Sequence, residues 1–215
     1  MLWDDKSITV YKIKEKNEEV KKESKTRNLY SLIKDTFFTK EQLPKFKMIV
    51  CMTKDGLIGD AKPKEGTNGL LWHSKEELKF FKDTTKGNVI VVGYNTAKFM
   101  PLDKIKQDRD VIIHNPNLMI IDIQNKYKNT GKDIFICGGA QTYKHYLETY
   151  DYIAGCHFDE IYVSVLKDHM MKFEKPEHPL YFPDIMRMGY ICVKRTEYGD
   201  FINYVFKHTS EVVVF

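Results

Sequence analysis

The chain has 215 residues, of which 42% are hydrophobic and 13% aromatic, a composition typical of a globular protein and unlike that of a disordered one. Its 34 basic and 30 acidic residues leave a net charge of +4, which suits small anionic ligands but is too weak to indicate a nucleic-acid partner. No apolar run approaches the length of a membrane span and the N-terminus lacks a secretion-signal pattern, so we expect a cytoplasmic protein without a membrane partner.

Residues 1–46 differ in composition from the rest of the chain. Most side chains between Lys12 and Arg27 are Lys, Glu or Arg without an apolar stripe, and a short apolar segment follows at 28–38. We therefore divide the chain into a charged N-terminal extension, 1–46, and a domain, 47–215. Two interpretations of the extension are open. It is either a solvated segment whose apolar part packs on the domain, or an arm for self-association or partner docking.

From residue 47 onward, short apolar runs alternate with helical or turn-rich segments. The predicted strands are 48–53, 89–93, 111–114, 118–121, 134–137, 160–165, 190–196 and 201–207, and the predicted helices are 75–84, 96–100 and 141–149. Several strands are continuous Val and Ile runs, which is typical of a sheet covered on both faces. The last two strands should form a closing antiparallel hairpin. The sequence thus predicts an α/β fold with a mixed, mainly parallel central sheet of eight strands and flanking helices.

The first candidate site begins at Trp72-His73-Ser74 and continues into the helix at 75–84. Ser74 and Glu77 have the spacing of a capping box, so Glu77 has a structural interpretation as a carboxylate that caps its own helix. Glu77, Leu78 and Phe81 also share one helical face. A carboxylate at the edge of an apolar, aromatic pocket suits a flat basic heterocycle, and desolvation would raise its pKa. The spacing alone leaves both interpretations open.

Two further candidate sites are junctions at which a strand runs through glycine into a helix. They are Val91-Val92-Gly93-Tyr94-Asn95-Thr96 and Ile136-Cys137-Gly138-Gly139-Ala140-Gln141-Thr142-Tyr143. Glycine lets the backbone approach a phosphate closely, and a helix N-terminus offers free N–H groups. Two such junctions in one domain favour a ligand with several phosphates that lies across the strand ends.

The cysteines and histidines do not indicate a metal site. Cys51, Cys137, Cys156 and Cys192 lie far apart and form no CxxC pair, and the seven histidines form no ligand-spaced cluster with one another or with cysteine. Because Cys51, Cys137 and Cys192 lie within apolar runs, we expect buried free thiols in a reducing compartment.

Taken together and in order, these segments resemble the dihydrofolate reductase family between residues 47 and 208. The matching segments are Asp55-Gly56-Leu57-Ile58-Gly59, Asn68-Gly69-Leu70-Leu71-Trp72, the helix of Glu77, Gly93-Tyr94-Asn95-Thr96, Arg109-Asp110-Val111-Ile112-Ile113, Cys137-Gly138-Gly139-Ala140-Gln141-Thr142-Tyr143, Asp159-Glu160-Ile161-Tyr162-Val163-Ser164 and Phe182-Pro183-Asp184. The resemblance implies that family's three-layer fold. It also implies NADPH as cofactor and the reduction of 7,8-dihydrofolate to tetrahydrofolate, with hydride transfer to pterin C6 and protonation at N5. Antifolates are the implied inhibitors.

The resemblance also implies roles for individual residues. Glu77 would be the single active-site acid that bonds the 2-amino group and N3 of the pterin, and Trp72 would order a water beside it. Arg109 would hold the α-carboxylate of folate as a bidentate pair, and Ser164 would support the acid. The implied lining of the pterin and benzoyl pocket is Val50, Cys51, Leu78, Phe81 and Met100. The implied cofactor contacts are Ile58, Gly59 and Leu70 in a closing loop, Gly93, Tyr94, Asn95, Thr96, His114 and Asn115 at one junction and strand end, and Cys137, Gly138, Gly139, Ala140, Gln141, Thr142 and Tyr143 at the other.

The sequence departs from the family pattern at three places. Tyr94 stands where Arg or Lys often grips the adenosine 2′-phosphate, which leaves the preference for NADPH over NADH open, with Lys98 or His114 as possible substitutes. The loop between Gly59 and Trp72 is long, and neither the extension nor the insert at 167–179 has a counterpart in a minimal enzyme. Two other functions remain. One is a catalytically weak or structural assembly protein that keeps the fold, and the other is a reductase of the riboflavin-pathway type.

Overall fold

The computed structural model describes Trp3 and residues 8–15, 43–63, 70–149 and 156–214. The described strands are β1 (Ile13–Glu15), β2 (Phe46–Met52), β3 (Leu57–Asp60), β4 (Val89–Gly93), β5 (Asp110–His114), β6 (Ile134–Ile136), β7 (Glu160–Leu166), β8 (Pro179–Tyr181), β9 (Tyr190–Glu197), β10 (Phe201–His208) and β11 (Val212–Val214). The described α-helices are α1 (Lys75–Thr85), α2 (Tyr94–Ala97), α3 (Leu102–Ile105), α4 (Ile120–Tyr127) and α5 (Ala140–Tyr146). Short 3₁₀ helices lie at Asp168–Met170, Ile185–Met188 and Thr209–Glu211.

The central sheet is mixed and mainly parallel. Its strand order is β5-β4-β6-β2-β7-β10-β9. β2 pairs in parallel with β6 and β7, and β4 pairs in parallel with β5 and β6, whereas β10 pairs antiparallel with both β7 and β9. Two small sheets, β1-β11 and β3-β8, complete the described strands. The predicted α/β fold with a closing antiparallel hairpin is confirmed.

The predicted strand at 118–121 is wrong. Ile120 begins α4, in which Ile123 and Tyr127 are buried while Asp122 and Asn125 are exposed, a helical period. The described part of the central sheet therefore has seven strands instead of eight. The other seven predicted strands are present, with ends displaced by two residues at most. The helix predicted at 96–100 begins and ends earlier, as α2. The helix predicted at 141–149 begins one residue earlier, as α5, and continues beyond Tyr146 as a π-helical turn to Thr149.

The core lies on both faces of the central sheet. In β4 every side chain is buried: Val89 and Val91 face one cluster, which also contains Met48 and Ile136, while Ile90 and Val92 face a second cluster with Ile49 and Phe135. The first cluster is covered by α4 and α5 and the second by α1, α2 and α3. Three layers result, which explains why the parallel strands read as continuous apolar runs.

The described part of residues 1–46 packs against the domain. Trp3 and Ile8 belong to the larger core cluster, Val10 pairs with Cys192 of β9, and β1 pairs with β11. The apolar segment at 28–38 and most of the charged stretch lie outside the described residues. The division into 1–46 and 47–215 stays a prediction, and β2 itself begins at Phe46.

The four cysteines are free; Cys192 is buried, and Cys51, Cys137 and Cys156 are half-buried. None of the described helices is both long enough and apolar enough to cross a membrane.

Candidate active site

The candidate site lies where the parallel strands β2, β4 and β6 end, the edge at which ligands bind in open α/β sheets. β2 presents Cys51 near its end, and β6 leads into Cys137. On the adjacent face, α1 places Glu77 close enough that its charge raises the pKa of both Cys51 and Tyr143, although burial is the larger cause for each. Residues predicted from separate segments of the chain therefore meet in one place.

Glu77 is buried, and its carboxylate is not used to cap its helix. Ser74 is the N-cap residue, and its Oγ accepts a hydrogen bond of 3.0 Å from Glu77 N. Among the described residues, the Glu77 carboxylate has no hydrogen-bond or ion-pair partner, although the residue is only 9% exposed. Burial raises the pKa of Glu77 from its ordinary value of 4.5 to about 7. The structure thus favours the functional interpretation of Glu77 over the structural one.

The start of α1 is fixed by the turn between β9 and β10. Ser74 Oγ donates to Asp200 Oδ2 at 2.6 Å, and Asp200 N donates to Glu76 Oε2 at 2.8 Å. Hydrogen bonds from Ser74 and His169 lower the pKa of Asp200. Sequence reasoning missed Glu76 and Asp200, because they are far apart in the chain and neither has a local signal. Together they determine where Glu77 lies.

The wall beside Glu77 is apolar and contains sulfur. The indole of Trp72 lies within hydrogen-bonding reach of the Cys51 thiol, and Trp72 is itself 7% exposed. Phe173, from the insert at 167–179, packs its ring 5.9 Å from that of Trp72. The insert therefore adds an aromatic cover to the site, a role that the sequence did not indicate.

The other predicted pocket residues divide into two groups. Phe81 and Met100 are half-buried against the second core cluster, and Leu78 is 45% exposed, so all three can line an open pocket. Val50 is different, because its side chain is buried in the larger cluster on the opposite face of the sheet. Ser164 is fully buried and accepts a hydrogen bond of 3.4 Å from Asn203; within the described residues it makes none to Glu77.

Arg109 is a buried cation beside the aromatic wall. Its side chain is 4% exposed, and Nη2 lies 3.2 Å from Asp108 Oδ1 and 3.4 Å from the Lys82 carbonyl oxygen at the end of α1. The guanidinium carbon lies 6.0 Å from the centre of the Phe81 ring. Within the described residues, Arg109 Nε has no hydrogen-bond partner. Its remaining donors suit a carboxylate ligand at this end of the pocket.

The two glycine junctions are in direct contact. Gly93 N donates to the Gly138 carbonyl oxygen at 2.6 Å. A Cβ on Gly93 would lie 2.5 Å from Thr142 Oγ1, and one on Gly139 would lie 2.8 Å from Thr96 Oγ1, so glycine is required at both positions. Neither α2 nor α5 has a side-chain cap at its N-terminus. Their first N–H groups, which follow the ends of β4 and β6, are therefore not occupied by a side-chain cap.

A histidine pair lies beyond these junctions. His114 ends β5, and its ring centre is 4.8 Å from that of His145 in α5. Burial, and then the charge of His145, lowers the pKa of His114. In the described part of the chain, the buried Nδ1 of His114 has no hydrogen-bond partner. The sequence indicated His114 but not His145, which has no signal beyond its position in the helix after the second junction.

The remaining predicted cofactor residues are placed as follows. Tyr94 is 66% exposed with Lys98 Nζ 4.3 Å from its ring centre, and Lys98 also donates to Asn95 at 3.2 Å. Ile58 and Gly59 lie in β3 rather than in a loop, paired with β8. Leu70 is exposed at 42%, and most of the long segment between Gly59 and Leu70, 64–69, lies outside the described residues.

Asn115 and Gln141 are exposed, Ala140 and Cys137 are half-buried, and Tyr143 is 5% exposed. Tyr143 donates from its hydroxyl to the Ile49 carbonyl oxygen at 2.7 Å.

The chain is similar to several known proteins. Residues 45–207 match the family model described as dihydrofolate reductase. Dihydrofolate reductase of Mycoplasma pneumoniae is 29% identical over 121 residues, which cover 49% of this chain and 71% of the relative. Dihydrofolate reductase of Ureaplasma parvum serovar 3 is 30% identical over 132 residues, which cover 57% of this chain and 76% of the relative. Dihydrofolate reductase from Enterococcus faecalis, complexed with NADP(H) and RAB-propyl, superimposes with a TM-score of 0.51 at 20% identity, covering 76% of this chain and 95% of the other.

Proposed function

The chain belongs to the dihydrofolate reductase family, and we propose that it reduces 7,8-dihydrofolate to tetrahydrofolate with NADPH at the site built around Glu77. The observation that supports this site most strongly is the Glu77 carboxylate, which is buried and has no partner among the described residues. A buried acid without a partner is costly to the fold and is found where a ligand supplies the missing donors.

The substrate is bound through its two ends. The Glu77 carboxylate accepts hydrogen bonds from the 2-amino group and N3 of the pterin. The pterin ring lies against the side chains of Phe81 and Cys51. Arg109 binds the α-carboxylate of the glutamate tail through the donors that Asp108 and Lys82 leave free. Glu77 binds antifolates in the same way, because these share the flat basic ring.

The strand ends fit a dinucleotide cofactor. The cradle formed by Gly93, Gly138 and Gly139 admits no Cβ at Gly93 or Gly139, and the uncapped N-termini of α2 and α5 offer N–H groups to a diphosphate. The buried Nδ1 of His114 has no partner among the described residues and suits the adenosine end, where a phosphate oxygen would accept from its N–H form. Lys98, whose Nζ donates to Asn95 of α2, supplies a flexible cation at the first junction.

The protein contributes binding, orientation and the charge that favours proton transfer from water. When bound, NADPH supplies the hydride that reduces C6 of the pterin. Glu77 polarises the pterin and favours protonation at N5, and Trp72 orders the water that is the final proton donor. Because the pKa of Glu77 is raised to about 7, the carboxyl exchanges its proton in the neutral range that this chemistry requires.

Three statements about the location and partners of the protein are predictions. These are a cytoplasmic location, the absence of a nucleic-acid partner, and self-association or partner docking through residues 1–46.

The experiment that tests the proposed function follows NADPH absorbance after dihydrofolate is added to the purified chain, with NADH in parallel. Rapid NADPH oxidation that is lost in Glu77→Gln and blocked by methotrexate supports the proposal. A folded protein that binds methotrexate but oxidises neither cofactor would indicate a structural role, and one that binds no methotrexate would indicate a riboflavin-type substrate.

A further inference from the structure

We propose that Trp3, in the N-terminal segment, is a positioning residue for the turn between β2 and β3, and through it for β3, which carries Ile58 and Gly59, two residues that the family resemblance implies as cofactor contacts. The proposal rests on the proposed function for its kinetic consequence, but its structural part is independent of that function. It assigns a role to a segment that lies outside the 45–207 match to the family model.

Trp3 contacts the turn directly. Its side chain is 3% exposed, and its backbone N–H donates to the Lys54 carbonyl oxygen at 2.5 Å. The indole Nε1 would lie 3.6 Å from a Cβ on Gly56, whose φ of +84° places the turn in the left-handed region. On its other side, the indole packs edge-on against Phe206 of β10, with ring centres 5.7 Å apart. The indole therefore joins the turn to the closing hairpin of the central sheet.

The turn is connected to the site by short contacts. Within the turn, Thr53 N donates to the Leu57 carbonyl oxygen at 3.0 Å. From outside it, Phe182 N donates to the Gly56 carbonyl oxygen at 2.9 Å. The ring of Phe182 packs edge-on against Tyr143, with centres 5.2 Å apart. A shift at Gly56 is therefore transmitted both to the start of β3 and to Tyr143 beside the second glycine junction.

Trp3 lines both of the clefts that border the turn, so its side chain supplies the packing between them. A cleft of about 440 Å³ lies on one side of Trp3 and is also lined by Lys54, Asp168 and Tyr204. A second cleft of about 380 Å³ is lined by Trp3, Asp55 and Gly56. Lys54 and Asp168 form an ion pair at 2.7 Å across the first cleft, but both are partly exposed, and such pairs contribute little.

The test compares Trp3→Leu and Trp3→Phe with the control Ile8→Ala in the full-length chain. Leu keeps an apolar side chain in the core but loses the reach to Gly56 and the edge-on contact with Phe206, whereas Phe keeps an aromatic ring. Ile8 is a buried member of the same segment and the same core cluster, located two residues before Val10 on the β9 side. Each variant is measured by hydrogen exchange of residues 53–60, and by the hydride-transfer rate and the KM values for NADPH and dihydrofolate.

In Trp3→Leu we expect exchange of 53–60 to rise about tenfold relative to β4, and the KM for NADPH to rise about tenfold with a slower hydride transfer, while the KM for dihydrofolate changes little. Trp3→Phe and Ile8→Ala should stay within about twofold of wild type in both readouts, although all three variants lower the melting temperature. Unchanged exchange of 53–60 in Trp3→Leu would overturn the proposal, and so would an equal effect of Ile8→Ala. If the wild-type chain shows no turnover, the proposed function fails, and the exchange result still decides whether Trp3 holds the turn.

Discussion

Replacing Glu77 by Gln should stabilise the protein while removing its activity. Burial without a partner raises the pKa of Glu77 from 4.5 to about 7, so between these pH values the folded state holds a proton that the unfolded state has released. The buried Glu77 carboxyl therefore costs no stability below about pH 4.5 and an increasing amount between pH 4.5 and pH 7. The full cost is present above about pH 7. At about 1.4 kcal/mol per pKa unit, the ionised carboxylate lowers the free energy of unfolding by about 3 kcal/mol.

Gln has nearly the same shape and no charge, so it removes this cost. The expected gain in the free energy of unfolding is about 3 kcal/mol near pH 8 and less than about 1 kcal/mol near pH 5, measured by guanidinium titration without ligands. Turnover with dihydrofolate should fall about a hundredfold or more, and NADPH affinity should change little, because the lost interaction lies on the pterin side.

Glu76→Gln is the matched control, since it removes the same charge from the neighbouring position of α1. Its carboxylate accepts a hydrogen bond from Asp200 N, which the amide oxygen of Gln also accepts without the charge, so this variant should lose no more than about 1 kcal/mol at both pH values. A Glu77→Gln protein that is no more stable than wild type near pH 8, or whose gain is the same at both pH values, would refute the reasoning about burial.

Three other substitutions test the rest of the site. Arg109→Lys should raise the KM for dihydrofolate about tenfold, because an ammonium cannot form the bidentate pair; an effect confined to the KM for NADPH would contradict this. Gly139→Ala would place a Cβ 2.8 Å from Thr96 Oγ1 and should weaken NADPH binding about tenfold while leaving methotrexate binding nearly unchanged, as fluorescence titration would show. Ser74→Ala removes both the helix cap and the bond to Asp200 and should cost about 1–2 kcal/mol in urea unfolding, with recovery in Ser74→Thr; full stability of Ser74→Ala would argue against the cap.

Most of the fold followed from local patterns, and the failures have physical causes. The strand Val89–Gly93 was predicted with its observed ends, because a fully buried parallel strand is a continuous apolar run. The run at 118–121 has the same appearance but belongs to α4. Only the wider spacing of Ile120, Ile123 and Tyr127 shows the helical period, and a window of four residues does not contain it.

The candidate site was predictable where a motif is local and unpredictable where it depends on distant contacts. The Ser74 cap and the glycine junctions have short signatures, and the structure shows the cap and brings the junctions together. Nothing near Asp200 in the sequence indicates that it binds Ser74, and nothing near Trp3 indicates that it reaches Gly56. Tertiary contacts of this kind do not follow from periodicity or propensity.

The most decisive measurement is the pH dependence of kcat/KM for dihydrofolate at saturating NADPH, because kcat/KM reports ionisations of the enzyme before dihydrofolate binds. We expect a kcat/KM that is constant at low pH and decreases above an apparent pKa near 7, and a Glu77→Gln protein whose much lower kcat/KM lacks this ionisation. A wild-type kcat/KM that is independent of pH across the neutral range, or the same ionisation in Glu77→Gln, would contradict this expectation. Either result would show that the buried carboxyl of Glu77 does not control the chemistry.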